Sequence, residues 1–322
     1  MNKNDRIYVA GHTGLVGSAI LQELKSTGYN NIITRTHKEL DLIDQTAVEQ
    51  FFSESRPEYV FLAAAKVGGI GANSTYPADF IYFNTMIGFN VVQAAYRNKV
   101  KKLINLGSSC IYPKLAPQPM KEEYLLSNFL EPTNEAYAIA KISVIKLCTY
   151  YNRQYGTNYL SVMPTNLYGP GDNYDLSGSH VLPALIRKFH EAKISGTGTV
   201  SLWGNGSARR EFLYSADLAG ALVMLMQNVN ANDLTGPAGD FINVGCGKDL
   251  TIRELAEIIR AIVYEDVTNK TCEIEWDTSK PNGTPQKLLD ISMISAMGFT
   301  PKTNLKDGIK ISYEDFINNY YK

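Results

Sequence analysis

Short apolar runs rich in β-branched and aromatic residues recur along the first half of the chain, at 7–10, 31–34, 59–63, 102–106 and 159–163. Each is predicted to be a strand. Between them, residues 15–26, 45–54, 77–98 and 135–155 carry apolar positions at helical spacing. Strict alternation of strand and helix predicts a parallel sheet covered on both faces, a doubly wound Rossmann-type α/β fold. Ligands of such sheets bind beyond the carboxyl ends of the strands, so the loops leaving those ends are where chemistry is sought.

After Gly171 the rhythm breaks into a Gly/Ser/Asn-rich stretch, a helical pattern at 181–192 and a turn at 203–206 (WGNG). A helix at 216–227 and a strand at 241–244 read as a return to the sheet. Residues 251–263 read as a further helix, with Thr251 and Glu254 spaced as a capping box. The expected layout is a cofactor domain of residues 1–172 with a returning segment at about 212–246. A second, smaller α/β substrate domain is expected from residues 173–211 and 247–322.

Composition narrows the partners. With 322 residues, 44% hydrophobic, 20% charged and net charge -1, the chain reads as globular, and no electrostatic case for nucleic-acid binding arises. No apolar run approaches the roughly 20 residues that cross a bilayer, so no membrane partner is expected. The polar start, Met1 to Arg6, runs directly into the first strand unlike a targeting peptide, which makes the cytoplasm the expected location. Cys110, Cys148, Cys246 and Cys272 are scattered without a CxxC pair or ligand-spaced His, so neither a disulfide framework nor a metal site is expected.

Gly11, Gly14 and Gly17 follow the first strand and open the first helix. In that setting glycines allow a tight turn, close approach of a pyrophosphate to the backbone, and close helix–strand packing. The second strand leads into Arg35, His37 and Lys38, cations that suit the 2'-phosphate of NADP(H). Glu39 and Asp41 nearby leave an NAD-type ribose contact open.

Tyr137 and Lys141 lie one turn apart on a predicted helix and so share a face. A phenol near pKa 10 is a poor proton donor at neutral pH, and an adjacent ammonium is expected to lower that value. Ser108, in the Gly107-Ser108-Ser109-Cys110 run after the fourth strand, places a hydroxyl donor at the same sheet edge.

Glycine turn, edge serine and YxxxK in this order resemble the extended short-chain dehydrogenase/reductase family. More specific runs narrow the resemblance to its GDP-keto-sugar branch: AAAKVGGI at 63–70, GSSCIYPK at 107–114, MPTNLYGP at 163–170, Arg210 to Leu213, and Lys287 to Asp290. The resemblance covers nearly the whole chain and implies a two-stage reaction. Cys110 and His180 would move protons at C3 and C5 of GDP-4-keto-6-deoxy-D-mannose. Reduction at C4 by NADPH, with Ser108, Tyr137 and Lys141 serving the carbonyl, would then give GDP-L-fucose.

By the same resemblance, the cofactor is held by Gly11, Thr13, Gly14, Leu15, Val16 and Gly17, by Arg35 and His37, and by Ala63 and Ala64. Tyr137, Lys141, Pro164, Asn166, Leu167 and His180 complete that set. Ser108, Ser109, Cys110, Asn166, Lys188, Trp203, Arg210 and Lys287 fall where the GDP-sugar binds. Alone, Cys110, His180 and Trp203 read as structural residues, and only their motifs give them roles.

Thr13 and Lys188 depart from arginines common in the family, which bears on cofactor preference and substrate fit. An alternative is a pure C4-reductase acting on a related GDP-4-keto-6-deoxy sugar, such as a heptose, after a separate epimerase. A non-catalytic NADP(H) sensor is a further alternative, although a sensor needs no proton donor. Family analogy also implies a homodimer through helices at 77–98 and 135–155.

Overall fold

The computed structural model describes residues 1–176, 178–234, 241–267, 271–280 and 282–321. In chain order the strands are β1 (Ile7–Ala10), β2 (Ile32–Ile33), β3 (Tyr59–Leu62), β4 (Lys102–Leu106), β5 (Tyr159–Pro164) and β6 (Asn166–Tyr168). They continue with β7 (Thr199–Trp203), β8 (Arg209–Tyr214), β9 (Phe241–Val244), β10 (Asp249–Thr251), β11 (Glu273–Asp277) and β12 (Gln286–Lys287). Six of them make one parallel sheet in the order β2-β1-β3-β4-β5-β9, the doubly wound fold expected from the alternation.

Period-2 alternation explains how one short strand serves two cores. Ile7 and Val9 of β1 pack with Ile20 and Leu24 of the helix Leu15–Ser26 and Leu222 of the helix Ser215–Asn228. Tyr8 and Ala10 face the other way, toward Val48, Phe52, Val91 and Val144 of the helices Gln45–Ser55, Pro77–Arg97 and Glu135–Tyr155. The central strands are apolar almost throughout because both faces are covered.

Lys102 is the charged exception in β4. Its ammonium donates to the carbonyls of Leu225 at 2.7 Å, Met226 at 2.8 Å and Val229, capping the negative end of the helix Ser215–Asn228. Burial pulls its pKa down to about 8.

The remaining strands form smaller sheets. β8 lies between β10 and β12 and also pairs with β6, while β7 pairs with β11. A separate core joins Leu182, Ile186 and Phe189 of the helix Val181–Ser195, Leu255 and Ile259 of the helix Ile252–Val263, and Ile309 of the helix Leu305–Asp315.

The predicted capping box is formed: Glu254 N–H donates to Thr251 Oγ1 at 3.1 Å and Thr251 N–H to Glu254 Oε2 at 2.7 Å. Strands β6, β7, β8, β10, β11 and β12 were not expected, and the expected elements differ at their ends. β2 is shorter than 31–34, since as an edge strand it pairs only with β1. The helix predicted to end at 192 runs to Ser195, where Gly196 at φ +70° stops it. Among the described residues no helix is long and apolar enough to cross a membrane, and no His/Cys/Asp/Glu group could hold a metal.

Candidate active site

From β1 the chain goes to β2 on one side and then to β3 on the other, which opens a crevice beyond the carboxyl ends of β1 and β3. Gly11 turns at φ +83°, and a Cβ there would stand 2.7 Å from the Ala64 nitrogen. A Cβ on Gly17 would stand 2.0 Å from the Gly11 oxygen, so turn and helix interlock only as glycines. Gly14 caps the helix Leu15–Ser26 without a side-chain bond, leaving the first-turn N–H groups of that helix to a ligand. Ala63 N–H donates to Ala10 at 3.0 Å, and Asn84 Oδ1 accepts from Lys66 N–H at 2.9 Å, fixing the facing loop. Thr13 is exposed at the turn.

Beyond β2, Arg35 lays its guanidinium 5.4 Å from the Phe51 ring centroid and bonds only its neighbour's carbonyl, Thr34, at 2.8 Å. Glu39 is engaged locally, accepting from Thr36 N–H at 2.7 Å and Thr36 Oγ1 at 2.8 Å, and these bonds hold its pKa below the usual range. Asp41 accepts from Ile43 N–H at 3.1 Å and faces His37 at 3.7 Å. Both acids that could have served an NAD-type ribose thus have local partners, whereas Arg35 presents its charge to solvent.

Ser108 leaves β4 as the cap of the short turn Ser109–Ile111, with its Oγ accepting from Cys110 N–H at 3.4 Å. Tyr137 and Lys141 emerge one turn apart on the helix Glu135–Tyr155. Lys141 Nζ donates to the Leu106 carbonyl at 2.8 Å and lies 5.7 Å from the Tyr137 ring centroid, while Phe80 meets that ring edge-on at 6.1 Å.

The pairing of Tyr137 with a pKa-lowering lysine needs correction for this arrangement. Burial drives the phenol well above its ordinary value, with the nearby Cys110 adding to the shift, while the Lys141 ammonium is engaged by the Leu106 carbonyl. Burial lowers Lys141 itself to about 8.

Cys110 is buried, and burial raises its thiol pKa above the ordinary value. Lys287, Ser108 and Lys141 oppose that rise, Lys287 most strongly. Lys287 comes from β12, in register with Arg210 of β8. Its own pKa is lowered by burial and by Arg210, and raised by Cys110 and Glu131. His180 precedes the helix Val181–Ser195; its surface reaches solvent, yet the cleft around it is close enough that desolvation, and then Lys287, lower its pKa. Cys110 thus lies within electrostatic reach of Tyr137, Lys141 and Lys287, and Lys287 acts in turn on His180 and is itself acted on by Arg210.

Pro164 ends β5 and Asn166 and Leu167 begin β6, at the mouth of the same sheet. Asn166 Nδ2 is already committed to the Glu211 carbonyl at 2.9 Å. Lys188 Nζ donates to the Ser201 carbonyl at 3.0 Å, on the strand that ends in Trp203. Trp203 is 62% exposed and so is not a core residue; Lys280 lies 5.9 Å from its ring centroid. Sequence reasoning missed Phe80, which packs on Tyr137, and Glu211. A charged residue within the otherwise apolar run EFLY was the available signal for Glu211; Phe80 gave none.

Comparison with known proteins agrees with this geometry. The model of the NAD dependent epimerase/dehydratase family matches residues 7–245. The chain is 52% identical over 319 residues to GDP-L-fucose synthase 1 of Arabidopsis thaliana, covering 99% of this chain and 95% of that one. It is also 52% identical to GDP-L-fucose synthase of Escherichia coli (strain K12), covering 98% and 97%. Among solved structures, the GDP-mannoheptose C4 reductase MlghC from Campylobacter jejuni, with NADP bound, superposes with a TM-score of 0.89 at 39% identity, covering 99% of this chain and 100% of that one. The chain belongs to the NAD dependent epimerase/dehydratase family, in the extended short-chain dehydrogenase/reductase branch that includes the GDP-L-fucose synthases.

Proposed function

We propose that this protein converts GDP-4-keto-6-deoxy-D-mannose to GDP-L-fucose, epimerising C3 and C5 and reducing C4 with NADPH. The observation that carries the reading is that Lys287 acts electrostatically on both Cys110 and His180, while Ser108 caps the turn that holds Cys110 and Tyr137 feels the charge of Cys110. A C4 ketone acidifies the protons at C3 and C5, because the enolate left behind puts its charge on the C4 oxygen. Ser108 and Tyr137 hold that oxygen. The Cys110 thiolate, favoured by Lys287, removes a ring proton, and His180 returns one to the opposite face. NADPH, when bound, supplies hydride to C4; Tyr137, kept protonated by its burial, gives its proton to the developing alkoxide, with Lys141 one turn away on the same helix.

The glycine turn and the uncommitted Arg35 fit the pyrophosphate and 2'-phosphate of NADP(H). In this reading residues 1–172 and about 212–246 hold the cofactor, and 173–211 with 247–322 hold the GDP-sugar. The same reading makes the protein cytoplasmic and a homodimer through the helices Pro77–Arg97 and Glu135–Tyr155, an assembly that analytical ultracentrifugation checks.

The decisive experiment is turnover of the GDP-keto sugar with NADPH in deuterated water, with the product examined by NMR. NADPH oxidation with deuterium at C3 and C5 is expected, and Cys110→Ser or His180→Asn should suppress the exchange while largely sparing reduction. Reduction without deuterium at either carbon would replace this reading with the pure C4-reductase, the activity named for the more distant relative MlghC.

A further inference from the structure

Glu211 is fully buried in β8, where burial raises its pKa and hydrogen bonds from its neighbours oppose that rise. Its carboxylate is held by backbone amides: Oε1 accepts from Gly247 N–H at 2.7 Å and Oε2 from Leu289 N–H at 3.0 Å. Its backbone carbonyl accepts from Asn166 Nδ2 at 2.9 Å and Thr165 Oγ1 at 3.2 Å. A Cβ on Gly245 would stand 2.3 Å from Oε1, so the turn after β9 closes directly over the carboxylate. One residue thereby ties β8 to the β5–β6 junction, to the turn after β9 and to the segment after β12.

Alternate residues of a strand face opposite sides, so Arg210 projects away from the side that Glu211 occupies. Lys287 lies opposite Arg210 in register, two residues before the amide that Glu211 grips. On its far side that segment is held by Met120, whose N–H donates to Leu288 at 2.7 Å and whose carbonyl accepts from Asp290 at 2.9 Å.

We propose that Glu211 is a positioning residue that, through the amides of Gly247 and Leu289, sets the spacing of Arg210 and Lys287 toward a diphosphate-linked sugar and toward the Cys110 thiol. The inference rests on the reading of Arg210 and Lys287 as substrate residues. A carboxylate is needed because it accepts at both oxygens. Glutamine would turn an NH2 toward one of the two N–H groups and leave that amide unpaired.

The test compares Glu211→Gln, Glu211→Asp and Lys287→Ala with the unmodified protein. It follows KM for the GDP-keto sugar and for NADPH, thermal unfolding, and the pH profile of Cys110 alkylation by peptide mass spectrometry. Glu211→Gln should raise the sugar KM about tenfold, the scale of one lost buried hydrogen bond, with the NADPH KM held within about twofold. It should also move Cys110 alkylation to higher pH, and Glu211→Asp should recover part of both effects.

An unchanged sugar KM and alkylation profile in Glu211→Gln, whatever the melting temperature, would reduce Glu211 to a structural residue. If Lys287→Ala leaves the sugar KM unchanged, the substrate-site reading fails instead. Should neither Glu211 variant fold, amide exchange in the unmodified protein decides. Protection of Gly247 and Leu289 that deepens with bound GDP supports the proposal, and exchange at exposed rates overturns it.

Discussion

At the scale of single residues, the pattern of side chains announced chemistry better than it announced protonation. The YxxxK spacing and the serine after β4 were legible because helix and strand periods fix which side chains share a face. The electrostatic state was not, since burial and the carbonyl of Leu106 are tertiary facts that no spacing encodes. Tyr137→Phe removes only the proton donor, so kcat for NADPH oxidation should fall by roughly 10² to 10⁴, with NADPH binding retained by fluorescence titration. Buried Lys141 and Lys102 both titrate near 8 against an ordinary value of 10.5. Between those values the unfolded chain binds more protons, so stability is lowest below about pH 8 and rises as pH climbs above it. Urea unfolding between about pH 8 and 9.5 should show that contribution, and Lys141→Met should make the slope of stability against pH less positive.

Elements were read well where a local signal ended them. Thr251 and Glu254 announced the start of the helix Ile252–Val263, and losing the cap in Thr251→Ala should lower stability by about 1 kcal/mol in urea melts while leaving KM for both substrates unchanged. Edge strands were read less well, because β2 has one partner and its length depends on that partner's register. The pairings of β8 with β6 and β12 were not legible at all. Each of those strands is only two or three residues long, too short for alternation to register, and their register is imposed by bonds such as those of Glu211. The residues of the glycine turn and the fourth strand could therefore be singled out from local pattern, whereas Lys287 on β12 was reached only through the family resemblance.

Over the whole molecule, the return of the chain to its sheet was legible in the apolar run Phe241–Val244. That return also bears on how the protein comes into being. Strand β5 stays an open edge until β9 arrives, and Lys102 finds its carbonyls only at residues 225, 226 and 229. A ribosome adding about 5–20 residues per second needs roughly 4–16 s to pass from the end of β5 to the end of β9. Throughout that interval the nascent chain already contains the glycine turn, Ser108, Tyr137 and Lys141, yet its sheet ends in an unpaired apolar edge of the kind that recruits other chains. Half of the reductive machinery's sequence is thus synthesised well before it can be a folded unit, and a pause or truncation ahead of Phe241 leaves a polymerisation template in place of a partial enzyme.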